Sequence, residues 1–462
     1  MLRSEMCRRN PPWARTASWR LQTTMSDTYR RYRVLWPDQF GLPRGKYLPA
    51  AAVKRGAWFS SAVFMQSYDR NLYSVEVALR PAGLPDLEAH CPLAEARPGW
   101  EPDTGVIVAD LYYGKEPYPI SPRNALRSAV RVWHDQGIQP LIGASLTGYV
   151  LQPDSEGGWE PITTPSAYLY GTGALADPTG LLYEIMATAE SCGLAIESVS
   201  TDLDTPQFEI VIPMADAVSA IDSVFLVREL ARELANERDL KVTFLPKPLP
   251  DKGGNGMQIS VSLFDQAGDN KLFDSDAPDG LSSLTRTAIG GILRHHEGLT
   301  ALAAPTVNSY KRFRGGDIIG TKPTWGYDHR FATVRVPPLR GQGTRFQHRL
   351  ADAAANPYLL AAGLLHAARL GDKSRVNPGK SLNDHREGDG DDGRTLPDTL
   401  EAAVEALRGD GELTAALGPQ LVDNFCQLKM IEWNNFVDAE PRWADKIDEF
   451  SEWETATYLP FH

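Results

Sequence analysis

The forty-two residues from Asn308 to Arg349 constrain this chain most. They hold nine cations (Lys311, Arg312, Arg314, Lys322, Arg330, Arg335, Arg340, Arg345 and Arg349) in a protein whose formal net charge is −12. Within them Phe331-Ala332-Thr333-Val334-Arg335-Val336 alternates with period two. Ala332, Val334 and Val336 share one face, and Arg335 shares the other with Phe331 and Thr333. Such a strand needs a sheet with one apolar face on a core and one cationic face left open. An arginine held there is a rigid fork for carboxylate or phosphate. The alternative is a solvated basic strand.

At 462 residues the chain has room for two or three units, or one large one, at about 150 residues per domain. The negative net charge argues against nonspecific nucleic-acid binding. No apolar run approaches the roughly 18 residues that read as a membrane span. Cys7, Cys91, Cys192 and Cys426 are far apart and form no CxxC pair, which fits a reducing, cytoplasmic compartment with neither a zinc site nor a disulfide framework. Residues 1–28 read as a disordered extension. Their first 24 positions carry five Arg and one acid, Glu5, the bias of a transit peptide or of an upstream start ahead of Met25.

From Tyr29 to about 125 the pattern is one of short strands and turns: Arg31–Trp36, Leu72–Leu79 and a buried strand Thr104–Leu111. A helix opens at Ser121-Pro122 and runs to about His134. A larger unit follows. Strands are expected at Gln139–Leu151, Leu194–Val199, Gln207–Ile212 and Met257–Leu263, the last after a Gly253-Gly254-Asn255-Gly256 turn. Helices are expected at Thr179–Cys192, Asp216–Glu237, Leu281–Leu302, Ala353–Leu370 and across most of Leu396–Tyr458. Gly371–Arg394 is Gly- and Asp-rich and reads as an exposed mobile loop.

An ordered chain of blocks carries a resemblance: Phe244-Leu245-Pro246-Lys247-Pro248, Gly256-Met257, Ile289–Leu293, Asn308-Ser309-Tyr310-Lys311-Arg312, Arg330–Pro337, Asn356-Pro357-Tyr358-Leu359, Leu396-Pro397, Glu432-Trp433 and Trp453-Glu454. From about residue 29 to the C-terminus the chain resembles the glutamine synthetase family. The resemblance implies an α+β fold: an N-terminal β-grasp domain (29–128), then a catalytic domain (129–462) whose curved antiparallel sheet lines a funnel surrounded by helices. It also implies a homo-oligomer of stacked rings, a dodecamer. The implied chemistry, part of nitrogen metabolism, is ATP-dependent amide formation on glutamate, with two or three Mg²⁺ or Mn²⁺ ions neutralising the phosphates.

Position by position, the resemblance places Arg312 and Arg349 at the substrate carboxylate and Arg330 and Arg335 at the phosphates. Gly254 falls in the glutamate-contacting turn, and Ser262 falls near the nucleotide base. The implied metal ligands are largely replaced. Ser145, Thr147 and Gln347 stand where the family has Glu, and Gln258 stands where it has His. Asp202 and Glu209 alone keep carboxylates, so any metal would rest on these two at most. Asp317 lies within one residue of the catalytic-base Glu. Neutral oxygens cannot offset two divalent cations, because unit charges 4 Å apart interact by about 4 kcal/mol at an effective dielectric near 20.

Three readings follow. In the first, the arginine funnel is kept, the ATP chemistry is dropped and another reaction is run on a small carboxylate-bearing, glutamate-like substrate, with Asp202, Glu209, Asp317, His329 and His348 as acid–base groups. The second is a working γ-glutamyl–amine ligase that uses ATP, Mg²⁺ or Mn²⁺ and an amine other than ammonia. The third is a noncatalytic relative, against which four retained arginines argue, since a buried unpaired guanidinium is costly without an anion.

Overall fold

The computed structural model describes residues 29–78, 82–164, 166–314, 321–384, 393–443 and 450–462. The 1–28 extension, Asp317 and residues 385–392 of the polar segment lie outside these.

The chain folds as a mixed α+β protein. Its N-terminal part carries two small sheets. In one, strand Arg31–Pro37 lies between Pro43–Pro49 and Thr104–Val108, with Arg97–Pro98 at the edge; in the other, Ala57–Ser60, Asp86–His90, Asp110–Tyr113 and Glu116–Pro117 pair antiparallel. The expected single strand Thr104–Leu111 is therefore two, one in each sheet. The expected strand Leu72–Leu79 is absent among the described residues. Leu72 makes only an isolated bridge to Gln66, and Arg70, at φ +66°, turns the chain so that the Tyr73 amide donates to the Met65 carbonyl.

The larger sheet has nine strands among the described residues. Its central path runs Ser198–Thr201, Gln207–Asp216, Ile138–Pro153, Met257–Asp265, Phe346–His348, Val334–Val336 and Trp325–Tyr327, antiparallel up to the last pair. Opposed residues of antiparallel strands point to the same side, so the register sorts the side chains into two faces. Ala144, Leu146, Ile210, Ile212, Ile259, Phe346 and Val334 share the core face and are all buried. Helix Ala217–Asn236 packs on the sheet, its first turn capped by Asp216, which accepts from the Val218 and Ser219 amides. Helix Pro357–Lys373 packs against both Pro122–His134 and Ser283–Arg294. Helix Pro122–His134 is one continuous piece, so position 128 falls in mid-helix. The expected helix Leu281–Leu302 is two, Ser283–Arg294 and His296–Ala303, broken at His295. The expected helix Ala353–Leu370 begins only at Pro357, behind its cap Asn356. Among the described residues no helix is long and apolar enough to cross a membrane.

Candidate active site

The face opposite the core carries the polar residues. Arg335 pairs with Gln347, Gln347 with Ser260, and Ser260 with Gly143; Gln258 pairs with Ser145, and Thr147 with Glu209. Strand alternation thus puts Ser145, Thr147, Glu209, Gln258, Gln347 and Arg335 on one surface. The strand under Arg335 is shorter than its sequence pattern, Val334–Val336 only. Phe331 is exposed, and Thr333 is buried by donating to the Lys322 carbonyl rather than by facing out beside Arg335.

Arg349 lies next to Gln258 and is 6% exposed. Its Nη1 donates to Gln258 Oε1 at 2.8 Å and to Gln347 Oε1 at 3.4 Å, and its Nε donates to the Arg330 carbonyl at 3.0 Å. Arg335 Nη1 donates to the same Gln347 oxygen at 3.2 Å, while its Nε and Nη2 reach Asp328. Burial and the guanidiniums of Arg335, Arg330 and Arg312 press the Arg349 pKa down to about 10, with Glu209 opposing, so it stays charged at neutral pH.

Arg312 comes from the single turn Ser309–Arg312, is buried, and donates from Nη1 to the Leu350 carbonyl at 2.7 Å. Its stem lies on Gly254, where a Cβ would meet Arg312 Cγ at 2.6 Å and the Pro246 carbonyl at 2.7 Å. Glycine is therefore required by close approach. The turn is held from outside itself. The Gly253 amide donates to Asp204, Gln207 Nε2 donates to the Gly254 carbonyl, and the Gly256 amide donates to Thr147 Oγ1 at 2.7 Å. Asp204, Gln207 and Asp328 carry no motif. They lie close in sequence to Asp202, Glu209 and Arg330, but nothing in their spacing announces the contacts.

Asp202, just past strand Ser198–Thr201, and Glu209, on Gln207–Asp216, are brought together. Burial raises the Asp202 pKa, opposed by the Leu203 amide and Arg330. Burial also raises that of Glu209, opposed by the Ser145 hydroxyl, reinforced by Asp202 and opposed again by Arg330 and Arg349.

Ser262 falls on the same face as Gln258 and Ser260, further along their strand. Ser262 is buried and donates to the Thr344 carbonyl. His329 lies on the turn after Asp328, its ring 6.0 Å from that of Phe331. His348 is a correction: its register with Ile259 and Val334 puts it on the core face, fully buried, where it cannot meet a ligand of the open face. Burial, followed by nearby His296, lowers its pKa to about 3. A cavity of about 370 Å³ lined by Tyr310, Lys311, Trp433 and Phe436 involves none of the four arginines. Among the described residues no group of three His, Cys, Asp or Glu side chains is placed to hold a metal ion.

This arrangement can be set beside known proteins. Residues 119–447 match the glutamine synthetase catalytic domain. Glutamine synthetase of Thermococcus kodakarensis is 32% identical over 368 residues, 78% of this chain and 81% of its own; that of Rhizobium meliloti is 30% identical over 447 residues, 93% and 96%. The solved structure of apo GmaS is similar with a TM-score of 0.76 at 30% identity, covering 93% of this chain and 97% of its own. A GmaS/ADP complex gives 0.77 at 29%, covering 94% and 97%. The chain belongs to the glutamine synthetase family.

Proposed function

We propose that this protein uses the glutamine synthetase fold to bind a small carboxylate-bearing, glutamate-like substrate on its arginine-lined sheet face, and acts on it by acid–base chemistry rather than by metal- and ATP-dependent amide formation. Arg349 and Arg335 grip the anion, Arg330 and Arg312 add field, and Asp202 and Glu209 move protons. The resemblance also puts Asp317 near this site. One observation carries the reading: the neutral groups of the open face are engaged within the protein. Ser145 donates to Glu209, Thr147 accepts from Gly256, and the amide oxygens of Gln258 and Gln347 accept from Arg349 and Arg335.

Divalent ions would supply charge neutralisation for a triphosphate. This donor set does not fit them. Two carboxylates remain; the Gln258 and Gln347 oxygens face guanidiniums, and Thr147 Oγ1 is held by the Gly256 amide. A single ion on Asp202 and Glu209 is the most the lining would accept.

The second reading, an ATP-dependent γ-glutamyl–amine ligase requiring Mg²⁺ or Mn²⁺, is favoured by one observation, the ADP bound in a relative 29% identical to this chain. In both readings the protein is a homo-oligomer of stacked rings, proposed as a dodecamer and measurable by light scattering. A thermal-shift panel separates the readings, since a ligand raises apparent stability by RT ln(1+[L]/Kd). We expect small dicarboxylates to raise Tm in EDTA and ATP with Mn²⁺ to leave it unchanged. Mn²⁺-dependent ATP turnover with glutamate and an amine would establish the ligase instead.

A further inference from the structure

We infer that Gln258 and Gln347 are the specificity-determining residues of this face: by tying Arg335 and Arg349 into one donor pair, they make it a receptor for an oxyanion, carboxylate or phosphate, that needs no metal. The inference rests on the functional reading above and adds to it the residues that set the ligand's charge.

Two guanidiniums side by side repel. Here a single carboxamide oxygen, Gln347 Oε1, accepts from both, at 3.2 Å from Arg335 and 3.4 Å from Arg349, and Gln258 Oε1 accepts from Arg349 at 2.8 Å. An amide oxygen fixes the positions of the two forks without cancelling their charge, whereas a carboxylate in the same place would fix them and neutralise them. Asp328 pairs with Arg335 from a half-exposed position. Arg349 is nearly buried, and among the described residues no carboxylate lies within ion-pair distance of it. A guanidinium so placed favours an anion from outside.

The amides contribute donors as well. With both Oε1 atoms turned to guanidiniums, each Nε2 is the other arm of its planar amide, and neither donates to another described side chain or carbonyl. The row therefore presents amide and guanidinium N–H groups together, the donor set that recognises an oxyanion. A cation would meet the same N–H groups and be repelled.

The test is calorimetric titration of the full-length protein in EDTA with inorganic phosphate and, separately, with glutarate. Wild type should bind at least one of them, and added Mn²⁺ should not tighten the complex. Phosphate alone would mark the oxyanion as phosphoryl, glutarate alone as carboxylate; either upholds the inference. Gln347→Glu places a carboxylate between the two forks and should weaken binding at least about tenfold, with Tm retained. If that variant does not fold, Gln258→Glu makes the same test from the neighbouring strand. Unchanged affinity in the folded glutamate variant, binding lost in EDTA, or no binding of either anion would overturn it. Failure of the functional reading looks different: ATP turnover with Mn²⁺ can appear whatever the glutamate variant does.

Discussion

At the scale of single residues, the site is decided by which side of the sheet a side chain takes. Arg349 and His348 are neighbours in sequence and opposites in environment. Arg349 should be irreplaceable by lysine, because an ammonium cannot donate to Gln258, Gln347 and the Arg330 carbonyl from one rigid plane. We expect R349K to weaken binding of a small carboxylate about tenfold by calorimetry. His348 makes a prediction of opposite kind. Its folded pKa of about 3 lies below the unfolded value of 6.5, so the unfolded chain takes up the extra proton between these values. The stabilisation is present in full above the unfolded pKa and is lost as pH falls toward the folded one. By pH 4.5 the loss is about 2–3 kcal/mol. The drop in Tm between pH 7 and 4.5 should therefore be smaller in His348→Leu than in wild type; an equal drop in both would contradict the buried neutral imidazole.

Secondary-structure elements were legible where local pattern and tertiary demand agree. The alternation of Met257–Leu263, the amphipathic run Asp216–Glu237 and the Ser121-Pro122 helix start all mark elements that form where expected. Two failures share one cause, a strand pattern overridden by a turn contact close by in sequence. Leu72–Leu79 alternates but among the described residues makes only the isolated bridge from Leu72 to Gln66, and Thr333 leaves its strand for the Lys322 carbonyl. The arginines and the glycine turn of the site could be located from blocks of sequence. The Gln347 bridge between Arg335 and Arg349 could not, because it depends on the register of two short strands. Elements also meet at single residues. Asn356 accepts from the Tyr358 and Leu359 amides to cap helix Pro357–Lys373 and donates to the Asp38 and Gln39 carbonyls of the N-terminal region. Asn356→Ala removes the cap and the donor to the Gln39 carbonyl, while the Asp38 carbonyl keeps the Gly41 amide, so we expect a loss of about 2–3 kcal/mol in denaturant unfolding. A change below about 0.5 kcal/mol would mean that water replaces both functions.

Across the whole molecule, the N-terminal strands and the large sheet share one continuous core. A buried charge cluster pins the junction. Arg123 donates to both oxygens of Asp222, at 2.9 and 2.8 Å, and to Asp110, while Tyr358 donates to Asp222 at 2.7 Å. Removing the cation leaves Asp222 with only the Tyr358 hydroxyl and Asp110 with only Arg127, so Arg123→Met should cost about 3–5 kcal/mol of stability in chemical denaturation; a variant as stable as wild type would show that the cluster does not hold the junction. The junction positions the rest of the molecule, and the open face gives it its chemistry. The most direct test of that chemistry is anomalous diffraction from crystals soaked in Mn²⁺ and ATP. An oxyanion receptor without a metal pair predicts no manganese peak between the Ser145/Thr147 strand and Gln258. Two well-coordinated manganese ions there, with nucleotide beside them, would contradict it.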